Sequence, residues 1–112
     1  MAHCEQVLRG DVDALVAYLD RAIPAGSISA KLEDQADHRI GDARMVVRVY
    51  ERYSAVGGNR VSLCISVLAV GEEMSVSAIT AGGSQAVFWK LNTFGESAFL
   101  ERAVDALRSY SP

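Results

Sequence analysis

Residues 61–78, VSLCISVLAVGEEMSVSA, decide the fold. Val61, Leu63, Ile65, Val67 and Ala69 alternate with Ser62, Cys64 and Ser66, and after a short break Met74, Val76 and Ala78 alternate with Ser75 and Ser77. Period-two alternation of this kind marks a strand with one buried face. A two-residue turn at Gly71-Glu72 pairs Val70 with Glu73, which sets Ala69 opposite Met74, Val67 opposite Val76 and Ile65 opposite Ala78. All six are apolar. Since a one-residue slip would invert a strand, turn and pattern confirm each other as an antiparallel hairpin.

The same period extends outward on both sides. Upstream, Met45, Val47 and Val49 alternate with Arg44, Arg48 and Tyr50, and Ile28, Ala30 and Leu32 alternate with Ser27, Ser29, Lys31 and Glu33. A three-residue bulged loop at Val56-Gly57-Gly58 would pair Tyr53 with Val61 and Val49 with Ile65, so Met45, Val47, Val49, Glu51 and Tyr53 are expected on the core face. Downstream, Gly82-Gly83 suits a hairpin leading into a further strand over 84–91, with Gln85, Val87, Trp89 and Leu91 facing the core. Two helices frame the strands. Asp11 is placed to cap the first, with Val12, Leu15, Val16, Leu19 and Ile23 as its apolar stripe and Pro24 and Gly26 stopping it near residue 23. Thr93-Phe94-Gly95-Glu96 reads as a capping box for the second, whose stripe is Phe99, Leu100, Ala103, Val104 and Leu107. Residues 3–9 read as a short strand, and DQADHRIGD (34–42) as a loop carrying His38.

The expected order is β-α-β-β-β-β-β-α. One sheet with one apolar face and two amphipathic helices give an α+β two-layer sandwich: an antiparallel meander of five to six strands with both helices on one face. The 112 residues are expected to form a single domain, 1–112, and a chain of this size has little volume to spare for a large empty cavity.

Net charge is −3, which disfavours nucleic acid as a partner. The charge is uneven. In residues 39–60, Arg39, Arg44, Arg48, Arg52 and Arg60 against Asp42 and Glu51 make a net +3 within an acidic chain. Nine of the eleven basic residues are arginine, which favours planar, bidentate pairing. Cys4 and Cys64 are the only cysteines and His3 and His38 the only histidines, too few for a soft-metal site of about four ligands, so no metal and no cofactor is expected. The chain opens without an apolar leader segment and has no run of membrane-spanning length, and a cytoplasmic protein with reduced thiols is the expectation.

Two stretches, RVYERYSAVGGNRVSL (48–63) and SAITAGGSQAVFWKLNTFGESAFL (77–100), resemble a small family of uncharacterised bacterial proteins. They cover about a third of the chain, chiefly strands and turns. The resemblance implies a bacterial cytoplasmic origin and adds no catalytic residue. The element order is similar to that of the TATA-binding-protein-like and helix-grip groups, where a curved sheet wraps a C-terminal helix. The second of these binds apolar ligands between sheet and helix, but order alone does not carry function.

Two sets of residues break the pattern. Arg44, Arg48, Tyr50 and Arg52 form a column expected on the outer sheet face, with Ser29 and Ser66 beside Arg48. An anionic ligand, a second copy of the chain, or plain intramolecular pairing would each use such a column. Glu51 stands in phase with the core residues, opposite Leu63. A buried carboxylate with a raised pKa is the physics of an acid or base, while pairing with an arginine is the ordinary alternative. The leading reading is a non-enzymatic binding or self-association module, a homodimer working through the Arg/Tyr face. The alternative is a small-molecule pocket or minor enzyme between sheet and C-terminal helix, built from Glu51, Tyr53, Gln85 and Trp89, with Glu51 as acid or base and a small apolar ligand.

Overall fold

The computed structural model describes residues 2–25, 30–53, 60–82 and 89–110, and within the last stretch the side chains from Phe99 onward. The elements in chain order are β1 (Ala2–Arg9), α1 (Val12–Ala25), β2 (Lys31–Ile40), β3 (Ala43–Tyr53), β4 (Arg60–Val70), β5 (Glu73–Gly82) and α2 (Trp89–Ser109). The five strands form one antiparallel sheet in the order β1-β5-β4-β3-β2. This is the expected α+β two-layer arrangement, with both helices packed on one face.

The β4–β5 hairpin has the register read from sequence: Ala69 pairs with Met74, Val67 with Val76 and Ile65 with Ala78. Gly71 at the turn takes φ +59°, a left-handed conformation that glycine adopts without penalty. These strands supply the floor of the core, where Leu63, Ile65, Val67, Met74, Val76 and Ala78 are buried against Leu15, Leu19 and Ile23 of α1 and Phe99, Ala103 and Leu107 of α2. α1 starts for the expected reason. The Ala14 amide donates to Asp11 Oδ2 at 3.0 Å, capping α1, which buries Leu15, Val16, Leu19 and Ile23 of its stripe, while α2 buries Phe99, Ala103, Leu107 and, in place of Val104, Ala106.

Three expectations are corrected. First, β3 is inverted. It pairs with β4 one residue away from the anticipated register, with Arg52 opposite Val61, Tyr50 opposite Leu63, Arg48 opposite Ile65 and Val46 opposite Val67. Arg44, Val46, Arg48, Tyr50 and Arg52 therefore face the helices, while Met45, Val47, Val49, Glu51 and Tyr53 face outward. The neighbours of the column change too: Arg48 lies between Gln35 and Ile65, and Tyr50 between Leu32 and Leu63. The Gly57-Gly58 turn itself lies outside the described residues. Apolar residues on both faces of β3 made either register compatible with the pattern. Burial of Val46 and Tyr50, together with acidic partners for the arginines, favours the observed one.

Second, residues 34–40 are strand. Gly41-Asp42 closes a β2–β3 hairpin that pairs Ile40 with Ala43 and His38 with Met45, and Gly41 takes φ +57° as Gly71 does. The Gly-acid pair repeats that of the β4–β5 turn, a signal available in the sequence. Third, residues 89–91 belong to α2, which starts ahead of the capping box at Thr93. The residues 84–88 of the anticipated sixth strand, Gln85 among them, lie outside the described residues. The free edge of β5 that this strand needed is filled by β1, paired along its length from Ala2↔Thr80 to Arg9↔Glu73.

The turn glycines give a graded test. A Cβ at Gly71 would meet nothing within 4 Å, so Gly71→Ala should cost only the backbone term, about 1 kcal/mol in a urea melt. At Gly82, φ is +121° and a Cβ would sit 2.5 Å from the Arg60 backbone oxygen. Gly82→Ala should therefore lower the urea midpoint further than Gly71→Ala does.

Candidate functional site

Two surfaces follow from the inverted β3: the charged seam between β3 and α1, and the face of the sheet turned away from the helices.

The seam is built from spacing. Asp13 and Asp20 lie seven residues apart on α1, two turns or about 10.5 Å along one side of the helix. Arg44 and Arg48 lie four residues apart on β3, about 13 Å along one face of the strand. Helix and strand thus carry opposite charges at closely similar intervals. Arg44 Nη2 stands 2.8 Å from Asp13 Oδ1 and donates to Asp37 Oδ2 of β2 at 2.7 Å, while its Nε donates to Asp37 Oδ1 at 3.0 Å. This fork-shaped pairing with Asp37 is the geometry that arginine favours. Arg48 Nε reaches Asp20 Oδ1 at 3.3 Å, and the fully buried Tyr50 donates its hydroxyl to the same oxygen at 2.5 Å. The guanidinium of Arg52 stacks on the Phe99 ring of α2, with its carbon 4.6 Å from the ring centroid.

The electrostatics follow from these contacts. Hydrogen bonds from Arg44 hold the carboxyls of Asp13 and Asp37 below the usual carboxylate range, and the same two partners push the Arg44 pKa up. Burial, reinforced by the bond to Asp20, pushes the Tyr50 phenol well above its ordinary value, so it remains a donor at any physiological pH. Burial pulls the Arg52 pKa down. Arg44 and Arg48 are thus engaged within the molecule. Sequence reasoning identified the column and missed its acidic partners on α1, although Asp13 and Asp20 share the helix flank next to the apolar stripe.

Of the expected pocket residues, Glu51 and Tyr53 do not face the core. Glu51 faces outward opposite Ser62, not inward opposite Leu63. It pairs with Arg60 and accepts a hydrogen bond from Ser62 Oγ at 3.2 Å. This is the ordinary arginine-paired carboxylate. Tyr53 also faces outward, 55% exposed, near the Arg60 guanidinium. Trp89 opens α2, and Gln85 lies outside the described residues.

The outer face carries more apolar surface than solvent exposure requires. Strand by strand it presents Val7 on β1, Ile79 on β5, Leu68 and Val70 on β4, Met45, Val47 and Val49 on β3, and Ile40 on β2. Ile40 is 84% exposed and Leu68 44%. Small residues run through the middle: Ser62, Cys64 and Ser66 on β4 and Ser75 and Ser77 on β5. Charged residues border this area, with Glu5 and Arg9 on β1, Asp34 on β2, and the Glu51–Arg60 pair at one end. At one corner His38, Ile40, Ala43, Arg44, Met45 and Leu68 line a hollow of about 250 Å³. None of the described helices covers this face, since both pack on the other side.

Among the described residues, no three His, Cys, Asp or Glu side chains gather where they could hold a metal ion, and no helix is long and apolar enough to cross a membrane.

The seam predicts two behaviours. Asp20→Ala removes the acceptor of both Tyr50 and Arg48 and should cost about 2–3 kcal/mol, whereas Tyr50→Phe, which leaves Asp20 with Arg48, should cost about 1–2 kcal/mol. Both are read from urea denaturation. Because Asp13 and Asp37 titrate lower in the folded chain than in the unfolded one, their contribution is present above the unfolded value of about 3.9 and is lost as pH falls through the folded values. Melts from about pH 6 to about pH 3 should therefore show a fall in stability below about pH 4. That fall should be shallower in Arg44→Met.

A family model described as "Family of unknown function (DUF6054)" matches residues 1–111 of the chain. No curated protein and no solved structure matches it.

Proposed function

For a chain that belongs to this family of unknown function, we propose a non-enzymatic interaction module that works through the outer face of its sheet. The observation that carries the reading is the contiguous apolar area spanning β3 and β4 and reaching β1, β5 and β2, left uncovered by α1 and α2 and bordered by charges of both signs. An uncharged centre of apolar and small residues inside a charged margin has the anatomy of a protein interface.

The arginine column is not the working surface in this reading. An anion at Arg44 or Arg48 would have to displace Asp13 and Asp37 or Asp20, each already in place at hydrogen-bond or ion-pair distance. Those arginines instead fix which face of β3 is turned outward, and so indirectly build the apolar face.

Met45→Asp combined with Leu68→Asp tests the reading. Both residues lie outside the core cluster, so the thermal midpoint should stay within a few degrees of the parent. An apolar naphthalene-sulfonate dye should fluoresce with the parent chain, diluted until its mass is that of one chain, and lose most of that emission with the variant. Equal emission from the two would overturn the assignment of the outer face as the adhesive surface.

A further inference from the structure

We infer that the partner of the outer face is a second copy of this chain, stacked sheet on sheet about a two-fold axis that runs along β4. The inference rests on the outer face being the working surface, and adds the identity and orientation of what covers it.

Area is the first argument. Five strands spaced about 4.8 Å apart, each about ten residues long, span roughly 24 Å by 33 Å, on the order of 800 Å². That is about the area each partner contributes to a standard stable interface. The β2 edge, second, is a poor joining point. The exposed edge strand β2 carries Lys31, Glu33, Asp34, Asp37 and Arg39 and has a register shift between Leu32 and Asp34, both of which discourage strand addition. Of the β2 edge and the face, it is the face that presents the larger apolar area.

The third argument is complementarity, and it selects the axis. With strand order β1-β5-β4-β3-β2, rotation about β4 lays β3 of one copy over β5 of the other and β2 over β1, each residue meeting its own row. Met45 then meets Ser75, and Val47 meets Ser77, tall side chains over short ones. The protruding Val7 falls over His38, at the hollow beside Met45. Asp34 lies over His3, and Glu5 over Ala36, so no like charges are opposed. An axis across the strands instead sets Val47 on Val47, Ser77 on Ser77 and Glu5 on Glu5. That brings Glu5 against Glu5 at the edge, a repulsion that the axis along β4 avoids.

Sedimentation equilibrium and cross-linking test it. The parent should sediment at twice the chain mass, and Val47→Asp and Ser66→Arg should each sediment as single chains with unchanged circular dichroism. Ser66 lies close to the axis, so Ser66→Arg mixed with Ser66→Asp should restore the doubled mass. In a Cys4→Ser background Cys64 is the only thiol and meets its own copy, so a short bifunctional maleimide should link the dimer covalently. A parent that sediments as a single chain at every concentration overturns the second copy as partner, while the dye experiment still decides the face itself. A dimer indifferent to both Val47→Asp and Ser66→Arg overturns the second copy as the occupant of the outer face, and the dye experiment again decides the face. A dimer broken by these changes but not linked through Cys64 overturns the axis along β4.

Discussion

The hydrogen bond from the buried Tyr50 hydroxyl to Asp20, shared with Arg48, is the constraint on which the rest of the molecule depends. A phenol and a guanidinium placed beneath a helix are tolerable only if an acceptor meets them there, and α1 brings one. Two turns earlier Asp13 meets Arg44 in the same way, so α1 is located along β3 by charge as well as by its apolar stripe. The seam also decides orientation. With Arg44, Arg48 and Tyr50 committed to the helix side, strand alternation turns Met45, Val47 and Val49 outward.

Burying arginines beside the core is reconcilable with stability because each long aliphatic stem covers apolar surface while its head finds a carboxylate or an aromatic ring. Arg44 lies between Asp13 and Asp37, Arg48 against Asp20, and Arg52 over Phe99. The basic stretch within an acidic chain is in this respect the complement of α1 and β2. What pairing removes from the helix side is a large exposed field of positive charge. What it leaves on the other side is an uncharged centre of apolar and small residues.

The same physics accounts for what the sequence showed clearly and what it did not. The β4–β5 hairpin was legible because over residues 61–78 one face is wholly apolar while the other carries Ser62, Cys64, Ser66, Ser75 and Ser77, with a two-residue turn that permits only the matching register. β3 was not legible in this way. Valine and methionine on one side compete with valine, tyrosine and arginine stems on the other, and counting arginine as an outward residue tips the balance the wrong way. For Glu51 the residue type was right for an arginine-paired carboxylate, and only the face was misassigned.

Local sequence therefore determined the α+β class, the single-faced hairpin at the centre of the sheet, the apolar stripes of both helices, and the capping of α1 by Asp11. Each of these rests on a short period or a nearest-neighbour contact. Tertiary structure alone decided that β1 closes the free edge of β5, that β3 pairs in the register that hides its arginines, and that Met45, Val47 and Val49 lie on the outer face. These choices depend on contacts such as Asp20 with Tyr50, thirty residues apart, whose energies outweigh a strand preference that is nearly balanced between its two faces.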